Sequence, residues 1–300
     1  MPKPYHIITF DGGGILGLYS ITLFARLASV YPELVPSTDL LAGTSTGGLI
    51  ALSLAAGNAP EKIMDLYLLR ANEIFSRRLS YSLTTLWGLC GTKYHNTGLI
   101  NVCRSTFGNQ LLGQLPRKVV IPAFNLMSDG TPENPSWRTR FFHNLNDDDG
   151  RELVSDIAIR TSSAPAYFPT YQGYCDGGVF ANSPATVAIA QAIEKGEADL
   201  KDIRLLSVGT GGQIRYIDGQ QLQWGALKWA RPVIDIFMDG QSLVTEATSR
   251  KLLADRYFRL DPICPNIAMD DTSKMAQLMR LANEIDLKPA IRWLRDIYFK

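Results

Sequence analysis

The segment Gly43-Thr44-Ser45-Thr46-Gly47 constrains this chain more than any other, because a G-x-S-x-G string set between an apolar run and a helix leaves the backbone few routes. Leu40-Leu41 leads into it, and Gly47-Gly48-Leu49-Ile50-Ala51-Leu52 leaves it with helical character, so Ser45 is expected on a tight strand-to-helix turn. Flanking glycines permit the close packing such a turn demands. The helix N-terminus favours negative charge developing on the serine oxygen. A serine that merely caps the helix would satisfy the same string, so the pentapeptide needs support from elsewhere.

Two further segments supply it. Phe10-Asp11-Gly12-Gly13-Gly14-Ile15-Leu16-Gly17 follows the strand-like run from His6 to Phe10 and precedes residues with helical apolar spacing. Consecutive glycines at such a junction can aim several backbone N–H groups at one point, as an anion or the oxyanion of an acyl-transfer intermediate requires. Cys175-Asp176-Gly177-Gly178 sets a carboxylate at a glycine turn, which taken alone is an ordinary Asp-Gly turn. Gly12, Gly14 and Gly17 also fit a dinucleotide fingerprint, but that motif calls for an acidic residue closing a second strand, and Glu33 follows Pro32 with no convincing strand before it. No G-K-[ST] follows the glycines, which argues against a Walker nucleotide site.

In this order the three segments resemble the patatin-like phospholipase family. Ile121-Pro122-Ala123-Phe124-Asn125 looks like that family's central strand. Thr161-Ser162-Ser163-Ala164-Pro165-Ala166-Tyr167-Phe168-Pro169 resembles its S-A-P-x-x-F-P segment, and Asp176 to Pro184 its aspartate turn and N-x-P element. The resemblance spans residues 10 to 184 and fades beyond about Gly212. It implies a Ser-Asp dyad with Ser45 as nucleophile and Asp176 as general base, and the amides of Gly12, Gly13 and Gly14 as oxyanion donors. The family commonly carries Arg or Lys where this chain has Leu16, so a cation meeting substrate phosphate from that position is not expected here. Similar bacterial proteins include anti-phage effectors switched on by cyclic nucleotides. That role is compatible with this chain, although no residue marks a nucleotide pocket.

The chemistry can be argued beside the resemblance. A hydroxyl needs a base within hydrogen-bond reach. The histidines are His6, His95 and His143, and none follows the aspartate segment as the Ser…Asp…His order of an α/β-hydrolase would require. A carboxylate is a weak base at its ordinary pKa of about 3.9, but burial can raise it toward neutrality. Asp176 would take the serine proton, return it to the leaving alcohol and then activate water. This scheme calls for no metal and no cofactor. The expected activity is hydrolysis of acyl esters in phospholipids, lysophospholipids or other lipids, with an acyltransferase or an inactive lipid-binding protein as the competing readings.

Strand-like runs at His6–Phe10, Asp39–Ala42, Val119–Asn125, Thr139–His143, Tyr171–Cys175 and Arg204–Val208 alternate with helical ones. This predicts an α/β fold, a mainly parallel sheet covered by helices on both faces, with the catalytic segments just beyond strand ends. A single domain over 1–300 is expected, its motifs within 5–212 and a helical region over 213–300. With 30 basic and 29 acidic side chains, the chain carries no charge footprint for nucleic acid. Met1-Pro2-Lys3-Pro4 runs into the first strand without an apolar leader, so a cytoplasmic location is expected, with peripheral membrane contact. Two aromatic-rich regions could touch lipid, Phe75 to Trp87 and the stretch holding Trp224, Trp229, Ile234, Phe237 and Met238. Core packing is the expectation for both. Cys90, Cys103, Cys175 and Cys264 form no metal or disulfide pattern, and Cys175 beside Asp176 marks a point of oxidative sensitivity. The run Asp147-Asp148-Asp149 reads as a solvated loop.

Overall fold

A computed structural model describes residues 3–76, 91–127, 136–213, 216–220, 222–229 and 232–300. Ile7-Ile8-Thr9-Phe10 is an uninterrupted apolar-rich run of the kind a strand covered on both faces needs, and it forms the centre of the sheet as β1 (Tyr5–Phe10). β1 pairs in parallel with β2 (Leu40–Gly43) on one side and β6 (Ile203–Val208) on the other. β3 (Lys118–Asn125) continues in parallel beyond β2, and β7 (Tyr257–Leu260) beyond β6. β4 (Arg138–His143) closes the far edge antiparallel to β3. The strand order is β4-β3-β2-β1-β6-β7, so the sheet is mixed and mostly parallel.

Successive strand residues face opposite ways, and both faces are packed. Ile8, Leu41, Val119, Ile121 and Leu206 join the larger core under α1 (Gly17–Val30), α2 (Thr46–Ala55), α4 (Thr97–Phe107) and α5 (Val154–Ser162). Ile7, Leu40, Val120 and Leu205 face the smaller core built on α7 (Ala185–Glu194), whose Ala185, Ala188 and Ala192 let the helix lie close to the sheet. α3 (Pro60–Ile74) packs outside α1.

β5 (Tyr174–Asp176) determines what the turn after β2 faces. It pairs antiparallel with the end of β3, Asp176 opposite Ala123, while β4 occupies the other edge of that same stretch. β5 therefore lies on the β2 side of β3, which β2 vacates after Ala42 meets Val120. Two strands running toward each other meet end to end there, so the turn after β2 faces the last residue of β5.

The expected strands and helices are present with shifts of one to three residues at their ends. β7 was not anticipated, because Tyr257-Phe258-Arg259-Leu260 is short and carries a charge in its middle. The C-terminal helices are α10 (Met275–Glu284) and α11 (Lys288–Trp293), and Pro289 sits in the first turn of α11, where its missing N–H costs nothing. The acidic run is also tighter than a solvated loop. Asp149 is buried, pairs with Arg140 and accepts from the His143 amide at 3.1 Å.

At the crossing of β1 and α2, a Cβ on Gly47 would run into the Phe10 carbonyl oxygen. Gly47→Ala is therefore expected to lower stability by about 1–3 kcal/mol, read as a reduced urea midpoint at unchanged slope.

Candidate active site

Ser45 occupies the turn between β2 and α2 at φ 56°, ψ −124°. That backbone region is costly for a residue with a Cβ and persists only where the surroundings enforce it. Thr161 of α5 enforces it in part. Its hydroxyl accepts from the Ser45 amide at 3.0 Å and donates to the Pro122 carbonyl at 2.6 Å, tying the elbow to β3. Thr44 is held equally firmly, its amide on the Phe10 carbonyl and its hydroxyl on the Ala181 carbonyl at 2.6 Å. Ser45 itself remains partly accessible, as an attacking side chain must be.

Asp176 ends β5 opposite this turn and is 4% exposed. Its Oδ1 accepts from the Gly178 amide at 2.7 Å, and its own amide donates to Ser163. Burial raises the carboxyl to about 7, against smaller lowering contributions from hydrogen bonds with Ser45 and the Gly178 amide. Asp176 thus faces Ser45 where β5 meets the turn after β2, and a carboxyl raised in this way is a far better proton acceptor at neutral pH than an exposed one.

The glycine loop follows β1. The Gly12 amide, expected among the oxyanion donors, is spent on the Asn182 carbonyl at 3.0 Å, and the Ile15 amide on Met269 at 2.8 Å. Among the described residues neither the Gly13 nor the Gly14 amide donates to a protein acceptor. Gly14 has φ +58°, and a Cβ there would strike the Met269 carbonyl, so glycine is required at that point.

Sequence reasoning missed what braces this loop. Asp11, buried, pairs at 2.6 Å with Arg259 of β7, which also pairs with Asp261 at 2.7 Å. Asp261 in turn accepts from the Gly211 amide at 2.8 Å. The aspartate preceding the three glycines was a visible signal, but its partner lay on an unrecognised strand. Cys175 faces inward, and burial, then the Asp176 charge, pushes its thiol up to about 11. It is protonated at neutral pH and a poor target for oxidants, contrary to expectation.

Two apolar cavities meet at Ser45. One, of about 740 Å³ including space open to solvent, runs between α3, α4 and the Ser162–Phe168 segment and is walled by Leu49, Ile63, Tyr67, Val102 and Phe168. The other, about 720 Å³, passes Asp176, Val179, Ile234 and Phe237. A third cavity behind the glycine loop is more polar than these two, with Asp11, Asn182, Thr210 and Asp261 as well as Leu16 and Met238 among its walls. Ile234 and Phe237 belong to α9 (Pro232–Leu253) and are 41% and 64% exposed, so this part of the second aromatic region is not core. Residues 77–87 of the first region lie outside the described residues.

No histidine lines any of these cavities. His6 is buried against Tyr298, His143 ends β4 beside Asp149, and His95 bonds Thr97. Among the described residues no helix is long and apolar enough to cross a membrane.

The sequence profile of the family described as patatin-like phospholipase matches residues 8–189. The chain is 33% identical to Protein teg of Priestia megaterium, covering 97% of this chain and 98% of that one. It is 30% identical to the cGAMP-activated phospholipase of Pseudomonas aeruginosa over 86% of this chain and 78% of that one. Identity to Patatin-like protein 2 of Arabidopsis thaliana is also 30%, over 95% and 84%.

The raised carboxyl also carries a stability prediction independent of any reaction. In the unfolded chain Asp176 titrates near about 3.9, and in the folded protein near about 7. Its contribution to stability is complete below the lower value and is lost as pH rises through the upper one. Asp176→Asn is therefore expected to melt above the native protein at pH 8, with the gap narrowing toward pH 5 in calorimetric scans.

Proposed function

The chain belongs to the patatin-like phospholipase family, and from that premise we propose that it hydrolyses lipid acyl esters through a Ser45–Asp176 dyad. The observation that carries this reading is a buried carboxyl, raised to about 7, that shares a cavity wall with a serine on a strained elbow, where two apolar cavities meet. Ser45 attacks the ester carbonyl as Asp176 takes its proton. The amides of Gly13 and Gly14 receive the negative charge that appears on the carbonyl oxygen, while Gly12 holds the loop against Asn182. Asp176 then protonates the leaving alcohol, and water cleaves the acyl-enzyme by the same route.

The cavity between α3 and α4 suits an acyl chain, since its walls offer dispersion contacts and little competition from water. Exposed Ile234 and Phe237 at the mouth of the second cavity support peripheral contact with the membrane that supplies the lipid. The name of the Pseudomonas relative supports cGAMP as an activator, which a lipid-release assay with and without cGAMP tests directly.

A fluorophosphonate is expected to modify Ser45, because an activated serine attacks phosphorus and a capping serine does not. Ser45→Ala should reduce fatty-acid release from phospholipid vesicles on the order of 10⁴-fold or more, whereas His6→Gln, His95→Gln and His143→Gln retain substantial activity. Since the base must be unprotonated, kcat/KM should rise with pH through a midpoint near about 7. A folded His143→Gln protein as inactive as Ser45→Ala, or labelling at a different residue, would refute the dyad.

A further inference from the structure

Asn182 follows α6 (Gly178–Ala181), and its side chain is a polar group near the dyad that the scheme above leaves without a task. Its backbone carbonyl accepts from Gly12, and its Nδ2 donates to Ser242 of α9 at 3.3 Å, so the amide is gripped from both sides. The residue is 8% exposed, yet Oδ1 has no hydrogen-bond partner. Leaving a buried acceptor unpaired costs about 1–3 kcal/mol, which marks the position as one that a bound molecule completes.

The location of Oδ1 limits what that molecule can be. A Cβ at Gly12 would collide with it while lying 3.4 Å from Ser45 Cβ. A Cβ at Gly178 would lie 3.3 Å from it and 3.1 Å from Asp176 Oδ1. Oδ1 is therefore close to both dyad residues, and Asn182 lines the polar cavity and neither apolar one. Being an acceptor, it has nothing to offer an ester carbonyl and requires an O–H or N–H donor. The apolar cavities suit the lipid, so the donor that enters by the polar cavity is water.

We propose that Asn182 positions the water that cleaves the acyl-enzyme, a role that rests on the Ser45–Asp176 reading and extends it. One O–H of the water is held by Asn182 Oδ1 and the other is directed at Asp176. The water oxygen bonds to the acyl carbon as its second proton passes to Asp176. When the intermediate collapses, the bond from the acyl carbon to Ser45 Oγ breaks and Oγ takes that proton back from Asp176. The fatty acid leaves, its carboxyl proton going to solvent. Because acylation uses no water, Asn182 acts on the second half of the reaction alone.

Pre-steady-state kinetics with a p-nitrophenyl acyl ester test this, combined with intact-mass measurement of the protein. In Asn182→Ala the rate of p-nitrophenol release in the first turnover should stay near native, while deacylation slows on the order of tenfold to a hundredfold and acyl-Ser45 accumulates. Asn182→Leu, which keeps the side-chain volume, gives the same result should the alanine variant fail to fold. Fluorophosphonate labelling of Ser45 in each protein separates the two readings. Absence of labelling in the native protein overturns the dyad itself. Normal labelling with native deacylation in the variants, or with acylation and deacylation slowed by the same factor, overturns the role of Asn182 alone.

Discussion

The hydrogen bonds of Thr161 hold the rest of the site in place, because they fix a serine backbone that would otherwise relax. At φ 56° the Ser45 residue is in a region where its Cβ is crowded. A single hydroxyl bridges its amide to the Pro122 carbonyl on β3, and so converts the strain of the turn into a fixed distance from the sheet. Thr161 lies on α5, whose next residues run into the segment that walls the cavity between α3 and α4 and receives the Asp176 amide at Ser163. Elbow, carboxylate and cavity are therefore tied to one helix end.

The antiparallel β5 explains how a carboxylate reaches this point at all. In a wholly parallel sheet, the carboxyl ends of neighbouring strands are separated sideways by strand spacings of about 4.8 Å. Here β5 abuts β2 head-on along β3, so its last residue and the turn after β2 share one space. Covering that junction desolvates Asp176, which raises its carboxyl toward neutrality. The same burial weakens the fold above pH 7, so basicity at this residue is obtained at the expense of stability.

Much of this was readable in the chain. G-x-S-x-G, the glycine loop and Asp176-Gly177-Gly178 each announce a local conformation through residues that tolerate it, and the parallel strands announce themselves by continuous apolar runs such as Ile7-Ile8 and Val119-Val120-Ile121. What stayed hidden depends on contacts between distant segments. Nothing near Gly12 shows that its amide is spent on Asn182, and nothing near Asp11 shows that Arg259 neutralises it. The exposure of Phe237 was equally illegible, since a helix that borders a cavity mouth has the same residues as one packed in a core.

The Asp11–Arg259–Asp261 array shows how the two sides of the glycine loop are kept chemically different. Arg259 lies between two carboxylates and also donates to Ser207 at 2.9 Å, so its charge is consumed within the scaffold. Removing either end of a buried ion pair leaves the other charge uncompensated, a loss of about 3–5 kcal/mol, which makes the array a structural brace. With that cation committed and Leu16 on its wall, the polar cavity presents acceptors and carboxylates but no free positive charge among its described walls. Such a space disfavours an anionic phosphate and suits water. The glycine loop thus divides the apolar cavities that reach Ser45 from the more polar one behind it, and Asn182 lines the latter.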